Sequence, residues 1–133
     1  MTVAPGSTIG ILGGGQLGRM IAIAAAQLGY RCHIFDPHEA PAAADVAAAF
    51  TRGTFDDGAA LARFAAACDV VTYEFENVSV EPLRALGGKL RPGVASLELG
   101  QDRALEKEYI ERCGARPAAW RTIDGPADIA AAL

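Results

Sequence analysis

Residues 9–20, IGILGGGQLGRM, set three consecutive glycines between an apolar, β-branched run and a pattern of helical period. Residues 8–12 suit a strand buried on both faces. From Gln16 the apolar side chains recur three and four residues apart, at Leu17, Met20, Ile21, Ala24 and Leu28. Gly29 then stands where a helix ends in a residue tolerant of positive φ. The reading is strand, tight turn, helix; abundant alanine and glycine with only 7% aromatic residues predict small-faced helices that pack closely on a sheet.

Working outward, RCHIFD (31–36) is a second strand, and Pro37 prevents its continuation as a helix. Two strands joined through one helix make a parallel pair with a right-handed crossover. A shorter strand is expected at 46–50, and a helix within 55–68 that places Leu61, Phe64, Ala65 and Cys68 on one face. DVVTYEF (69–75) is the clearest β run; Asn77 and Ser79 punctuate a loop, and VEPLRAL (80–86) forms a short helix. Such alternation predicts an α/β fold with an open, doubly wound parallel sheet. Ligands of these sheets sit beyond the carboxyl ends of the strands, where the glycine turn, Asp36 and YEFEN converge.

The character changes after residue 100. QDRALEKEYIERCG (101–114) reads as a charged helix with a narrow stripe of Leu105, Tyr109 and Cys113, a Glu108–Arg112 pair and Gly114 as its stop. A strand at 118–123, a Gly-Pro turn and a helix from Pro126 or Ala127 follow, and that helix has run about two turns at Leu133. Residues 1–100 are therefore expected to form one domain, and 101–133 a linker helix with the incomplete start of another. The end reads as cut rather than finished.

The chain carries 12 Lys and Arg against 16 Asp and Glu, a formal charge of −4, with no basic cluster. Nucleic-acid and anionic-membrane roles have no electrostatic footprint here. No apolar run approaches the roughly 20 residues of a membrane span, and the N-terminus lacks a signal-peptide layout. Cys32, Cys68 and Cys113 are widely spaced and read as small buried hydrophobes of a reducing compartment. The expected location is cytoplasmic. His33 and His38 lie five apart across a strand end and a proline loop, which is no metal-ligand spacing, and no metal site is expected.

Gly13, Gly15 and Gly18 match GxGxxG at a strand-to-helix junction. Bare backbone amides and a positive helix end there favour a phosphate. Asp36 follows where dinucleotide folds carry an acid for the ribose. The motif alone leaves three readings open: a dinucleotide, another phosphorylated ligand, or a structural turn. Glu74 and Glu76 flank Phe75, and in extended geometry they share one face. Either both are solvated beyond the core, or Glu74 accepts hydrogen bonds from an amine or hydroxyl of a ligand whose phosphate sits on the glycine turn.

GILGGGQLGRM (10–20), DVVTYEFENV (69–78) and QDRALEKEYI (101–110), in this order and spacing, resemble the N-terminal part of the N5-carboxyaminoimidazole ribonucleotide synthetases, purine-biosynthesis ligases of the ATP-grasp superfamily. The resemblance implies a Rossmann-like pre-ATP-grasp domain that holds substrate, followed by the truncated start of an ATP-grasp domain. It implies ATP-dependent carboxylation of the exocyclic amine of 5-aminoimidazole ribonucleotide by bicarbonate, with ATP and Mg2+ bound in the complete enzyme and a homodimeric assembly. By the same resemblance Gly15, Gln16 and Leu17 meet the phosphoribosyl part, Glu74 faces the amino-imidazole or ribose, Glu76 and Asn77 are further candidates, and Arg103 reaches the ATP phosphates. Family chains are nearly three times as long, so these 133 residues alone are expected not to turn over. The rivals are an NAD(P)-binding module of a dehydrogenase or regulatory protein, another ATP-grasp enzyme such as a formate-dependent glycinamide ribonucleotide transformylase, and a non-enzymatic interaction unit.

Overall fold

The computed structural model describes residues 2–132. Four short apolar segments become the strands β1 (Thr8–Leu12), β2 (Arg31–Asp36), β3 (Ala49–Arg52) and β4 (Val70–Tyr73). All pair in parallel, in the order β3-β2-β1-β4. β1 thus has a neighbour on each side, reached by connections on opposite faces of the sheet. The switch point lies between β1 and β4, where a crevice opens at their carboxyl ends.

Period two sorts the strand side chains between two cores. Ile11, Cys32 and Ile34 pack with Ala22 and Ala25 of α1 (Gln16–Gln27) on one face. Leu12, Phe35 and Val71 pack on the other, with Leu61, Phe64 and Ala65 of α2 (Gly58–Ala66) and Leu83 of α3 (Val80–Arg84). The ends of α2 are satisfied locally. Asp57 accepts from the Ala60 N–H at 2.9 Å, and the Lys89 ammonium donates to the Ala65 and Cys68 carbonyls at 2.9 and 2.8 Å.

Several expectations change. The buried face of α1 is Gly18, Ala22 and Ala25, whereas Leu17, Met20 and Leu28 are 58%, 64% and 69% exposed. Small side chains let the helix approach the sheet closely, so the larger apolar series points outward. The third strand begins at Ala49, after a 3-10 turn at Ala44–Val46, because its register is set by β2 pairing from His33↔Ala49 to Asp36↔Arg52. The fourth strand stops at Tyr73.

By compactness the chain divides into residues 1–97 and 98–133. A helix absent from the sequence reading, α4 (Val94–Gln101), crosses this boundary and buries Leu97 in the first unit. In the second unit, Asp102 caps α5 (Arg103–Arg112) by accepting from the Ala104 and Leu105 amides at 2.9 and 3.0 Å. The expected Glu108–Arg112 pair does not form; the Arg112 guanidinium lies over the Tyr109 ring, 5.8 Å from its centroid. Leu105, Tyr109 and Cys113 are exposed. Residues 118–123 form no strand, because among the described residues no neighbouring strand pairs with them. The last helix, α6, is Pro126–Ala132. No helix among the described residues is long and apolar enough to cross a membrane.

Burial pushes the Cys68 thiol up to about 11 and raises that of Cys32, so both stay protonated at neutral pH and act as packing groups. His33 sits edge-on to Phe64 at 4.8 Å with Nε2 2.8 Å from Thr51 Oγ1, and burial lowers its pKa. The unfolded chain therefore binds this proton first. The contribution of neutral His33 is complete above the unfolded value, and is lost as pH falls below it toward the lower folded value. Denaturant midpoints at pH 7.5 and 5.5 are expected to differ less in His33→Gln than in the parent chain. Truncating Leu61, fully buried, to alanine is expected to cost about 3 kcal/mol in the same measurement.

Candidate functional site

Strand β1 ends at Leu12, and the Gly13 N–H still donates to the Phe35 carbonyl at 2.9 Å. The chain then turns through Gly13 at φ +100°, a conformation L side chains rarely adopt. Beyond it the amides of Gly14, Gly15 and Gly18 point outward from the start of α1, whose N-cap residue Gly15 has no side chain to satisfy them.

The structure fills these donors with carboxylates from two other strand ends. Glu74, one residue beyond β4, accepts from Gly15 N at 2.9 Å through Oε1 and from Gly18 N at 2.5 Å through Oε2. Asp36, at the end of β2, accepts from Gly14 N at 2.7 Å through Oδ2. Its Oδ1 takes the His38 amide at 2.8 Å and lies 2.7 Å from His38 Nδ1. Each anion sits at the positive end of the helix and replaces its missing hydrogen bonds. The glycines make room for this arrangement. A Cβ on Gly13 would overlap Glu74 Cγ, and one on Gly18 would come within 2.6 Å of the Gly13 carbonyl oxygen.

The glycine turn expected to seat a phosphate is thus partly occupied by the protein's own acids. The amides of Gly14, Gly15 and Gly18 are already bonded within the protein. At the tip of the turn, the Gln16 and Leu17 N–H groups belong to the first helical turn, which has no intrahelical acceptor, and both residues are exposed. Asp36 is only 6% exposed, and its bonds to Gly14 and His38 take three of the roughly four acceptor positions a carboxylate offers.

Around Glu74 lies a cleft of about 300 Å³, lined by Gly14, Gly15, Asp36, His38, Pro41, Phe55 and Phe75 among others. The far wall, residues 37–46, is pinned in three places. Ala43 N donates to the Gly14 carbonyl at 2.9 Å, Arg19 Nη1 donates to the Ala42 carbonyl at 2.7 Å and pairs with Asp45 at 3.0 Å, and Arg52 Nε donates to the Pro37 carbonyl at 3.1 Å. The near wall is aromatic. Phe75 packs edge-on against Phe55 at 5.6 Å, and tilted contacts join Phe55 to Phe35 at 6.0 Å and Phe35 to Phe64 at 5.2 Å, so the core reaches the cleft through a line of rings.

Gly15 and Glu74 thus line one crevice, while Gln16 and Leu17, next in the chain, are exposed and are not among its lining residues. Glu76 and Asn77 are exposed and do not line it. The expected sharing of one face by Glu74 and Glu76 fails because pairing ends at Tyr73, which frees the following residues from strand alternation. Arg103 belongs to the second unit, where it is exposed and pairs with Glu106. The wall built by Pro41, His38 and Phe55 went unread in the sequence; the proline, alanine-rich run at 41–44 was its only local signal. No group of three or more His, Cys, Asp or Glu side chains among the described residues is arranged to hold a metal ion.

Comparison with known proteins follows this geometry. Residues 6–101 match the family profile described as ribonucleotide synthetase preATP-grasp domain. An N5-carboxyaminoimidazole ribonucleotide synthase from Brucella melitensis is 47% identical over 134 residues, covering 99% of this chain and 37% of the relative. A crystal structure of an N5-carboxyaminoimidazole ribonucleotide synthetase in complex with ADP superposes with a TM-score of 0.88 at 39% identity, over 98% of this chain and 35% of that one. The Aspergillus clavatus synthase, solved with ADP and 5-aminoimidazole ribonucleotide, superposes with a TM-score of 0.81 at 28% identity, over 96% and 35%. The chain spans 35–37% of the length of these relatives.

Replacing Glu74 by glutamine turns one acceptor oxygen into an NH2 group that meets a backbone N–H, and removes the charge from the helix end. Urea unfolding of Glu74→Gln is expected to show a loss of about 2 kcal/mol. Gly13→Ala is expected to cost more than this in the parent chain, and less on top of Glu74→Ala, where the overlap with Glu74 is gone and the backbone strain and the approach to Phe75 Cε1 at 2.9 Å remain.

Proposed function

This chain belongs to the ribonucleotide synthetase preATP-grasp family, and on that premise we propose that it forms the substrate-holding part of an ATP-dependent ligase that converts 5-aminoimidazole ribonucleotide and bicarbonate to N5-carboxyaminoimidazole ribonucleotide in purine biosynthesis. The observation that carries this reading is the Glu74 carboxylate, fixed by two backbone amides at the edge of an open cleft.

A carboxylate offers about four acceptor positions, and the Gly15 and Gly18 amides use two. The others are available to the cleft, where an amine or ribose hydroxyl would be a matching donor. Because the amides also hold the carboxylate in place, orienting the substrate amine against it costs little further side-chain entropy. Glu74 therefore acts as a positioning group that presents the nucleophilic amine. The amides of Gln16 and Leu17, two exposed residues in the first turn of α1, would receive the phosphoribosyl part at the positive end of the helix. Glu76 and Asn77 would touch substrate only from the rim.

The remaining chemistry belongs to other groups. Activating bicarbonate with ATP requires cations clamped on the transferred phosphoryl group and a closed site around an unstable product. ATP and Mg2+ enter this proposal as participants in the complete enzyme; Arg103 is the contribution of residues 101–133, the start of an ATP-grasp domain, to the ATP phosphates. Homodimeric assembly and a cytoplasmic location complete the proposal, the latter supported by three unpaired cysteines. The burial of Asp36 and its bonds to Gly14 and His38 favour this reading over an NAD(P)-binding module. A glycinamide ribonucleotide transformylase would use a similar turn, and the identity to the Brucella synthase favours the carboxylating enzyme.

Titrating the 15N-labelled chain with 5-aminoimidazole ribonucleotide is expected to shift the amide resonances of Gly15, Gln16, Leu17 and Glu74, while NAD+ leaves them in place. Shifts with NAD+ and none with the ribonucleotide would overturn the proposal. No ribonucleotide-dependent phosphate release from ATP is expected from the 133-residue chain by itself.

A further inference from the structure

The far wall of the cleft around Glu74 carries a second polar group, His38, which takes no part in the chemistry assigned to Glu74. Its ring is held from behind. Asp36, the one buried charged side chain among the described residues, accepts the His38 N–H at 2.8 Å through Oδ1. The same oxygen lies 2.7 Å from His38 Nδ1, and Oδ2 is anchored on the Gly14 amide at 2.7 Å. A carboxylate oxygen only accepts, so Nδ1 carries a proton whether the ring is neutral or charged.

The ring contact is not needed to satisfy Asp36, because each of its oxygens already bonds a backbone amide. Nor does it serve packing, since the His38 side chain is 82% exposed. Holding an exposed ring in one orientation costs side-chain entropy without a matching gain to the fold. What it does is leave Nε2, on the opposite edge of the ring, without a partner among the described residues and fixed in direction beside the cleft. The wall beneath it is fixed as well, through Arg19 and Arg52.

The state of Nε2 narrows what it can meet. It accepts a hydrogen bond in the neutral ring and donates one in the charged ring. A phosphate only accepts, and beside Glu74 and Asp36 it would also face two carboxylates. An amine on an aromatic ring serves as a donor and is better matched by the charged Glu74. A hydroxyl both donates and accepts, so it pairs with Nε2 in either state.

We propose that His38 is a specificity-determining residue for the sugar, with Nε2 hydrogen-bonded to a ribose hydroxyl of the ligand whose amine faces Glu74. The inference rests on the ribonucleotide reading of this cleft and adds the group that reads the ribose. Asp36 thus serves the sugar at one remove: it does not meet a hydroxyl itself, and it aims the ring that does.

The chain holds two histidines, and His33, packed on Phe64 and Thr51, is the internal reference. Ring-nitrogen NMR of the 15N-labelled chain is followed during titration with 5-aminoimidazole ribonucleotide, with ribose 5-phosphate, and with the 2-deoxy and 3-deoxy forms of ribose 5-phosphate. The ribonucleotide and ribose 5-phosphate are expected to shift His38 Nε2 saturably and to leave His33 in place. Loss of one of the two hydroxyls is expected to weaken binding at least about fivefold in the parent chain and less than about twofold in His38→Phe, which lacks Nε2. His38→Gln, whose amide also donates and accepts, is expected to bind ribose 5-phosphate within about threefold of the parent. Amide spectra of both variants are expected to match the parent outside residues 36–42. Three results would each overturn the proposal: no His38 Nε2 shift with either ligand up to about 20 mM, deoxy forms that both bind as tightly as ribose 5-phosphate, or an equal penalty for hydroxyl loss in the parent and in His38→Phe. A ribonucleotide that shifts the Glu74 amide without moving His38 Nε2 sinks this inference alone. A His38 response to ribose 5-phosphate, with the Glu74 amide indifferent to the ribonucleotide, leaves the sugar contact standing and sinks the ribonucleotide reading.

Discussion

The contact on which the rest depends is a carboxylate from the end of one strand closing the first turn of a helix that follows another. Gly15, the N-cap of α1, cannot satisfy the helix start by itself, and Glu74 does so across 59 residues of sequence. A helix end left with unsatisfied amides is costly when water is excluded. Here the remedy also ties β4 to the β1–α1 turn at the switch point of the sheet. One interaction thereby fixes the local backbone, the spacing of two strand ends and the orientation of the acid that faces the cleft.

The glycines take their meaning from that contact. The GxGxxG pattern is commonly associated with a bare loop that receives a pyrophosphate. In this chain much of the space left by the missing side chains is filled by Glu74 itself, above all at Gly13. Asp36 behaves similarly toward Gly14 and His38. A fold able to bind dinucleotides is thus redirected without a change of topology: strand-end acids occupy the donors, and the cleft between them presents oriented oxygen atoms instead of open amides. Such a cleft suits a ligand bearing an amine or hydroxyl, which is the chemistry of an aminoimidazole ribonucleotide.

The two units divide the electrostatic work. The first offers acceptors on a rigid parallel sheet, backed by a line of aromatic rings from Phe64 to Phe75. The second gathers Arg103, Lys107 and Arg121 around Trp120. In the function proposed above, an amine to be carboxylated and a phosphoryl group to be transferred would make opposite demands, and the two units offer groups of opposite charge.

Much of the layout was legible in residues 8–36 and 55–75, because a strand buried on both faces and a helix with one apolar face leave distinct periods in the chain. The order of turn motifs likewise pointed to the family. Other features depended on distance partners. The outward turn of Leu17, Met20 and Leu28 follows from how closely Gly18, Ala22 and Ala25 approach the sheet, which periodicity cannot rank. The end of β4 at Tyr73 and the unpaired state of residues 118–123 reflect where neighbouring strands are present, since a strand exists only through its partner. The sequence by itself determined the α/β layering and brought the glycine turn and the Glu74 segment to the same end of the sheet. Only the tertiary structure decided that Glu74 and Asp36 would consume the turn's amides, because a hydrogen bond between groups 22 to 59 residues apart depends on positions that no local pattern encodes.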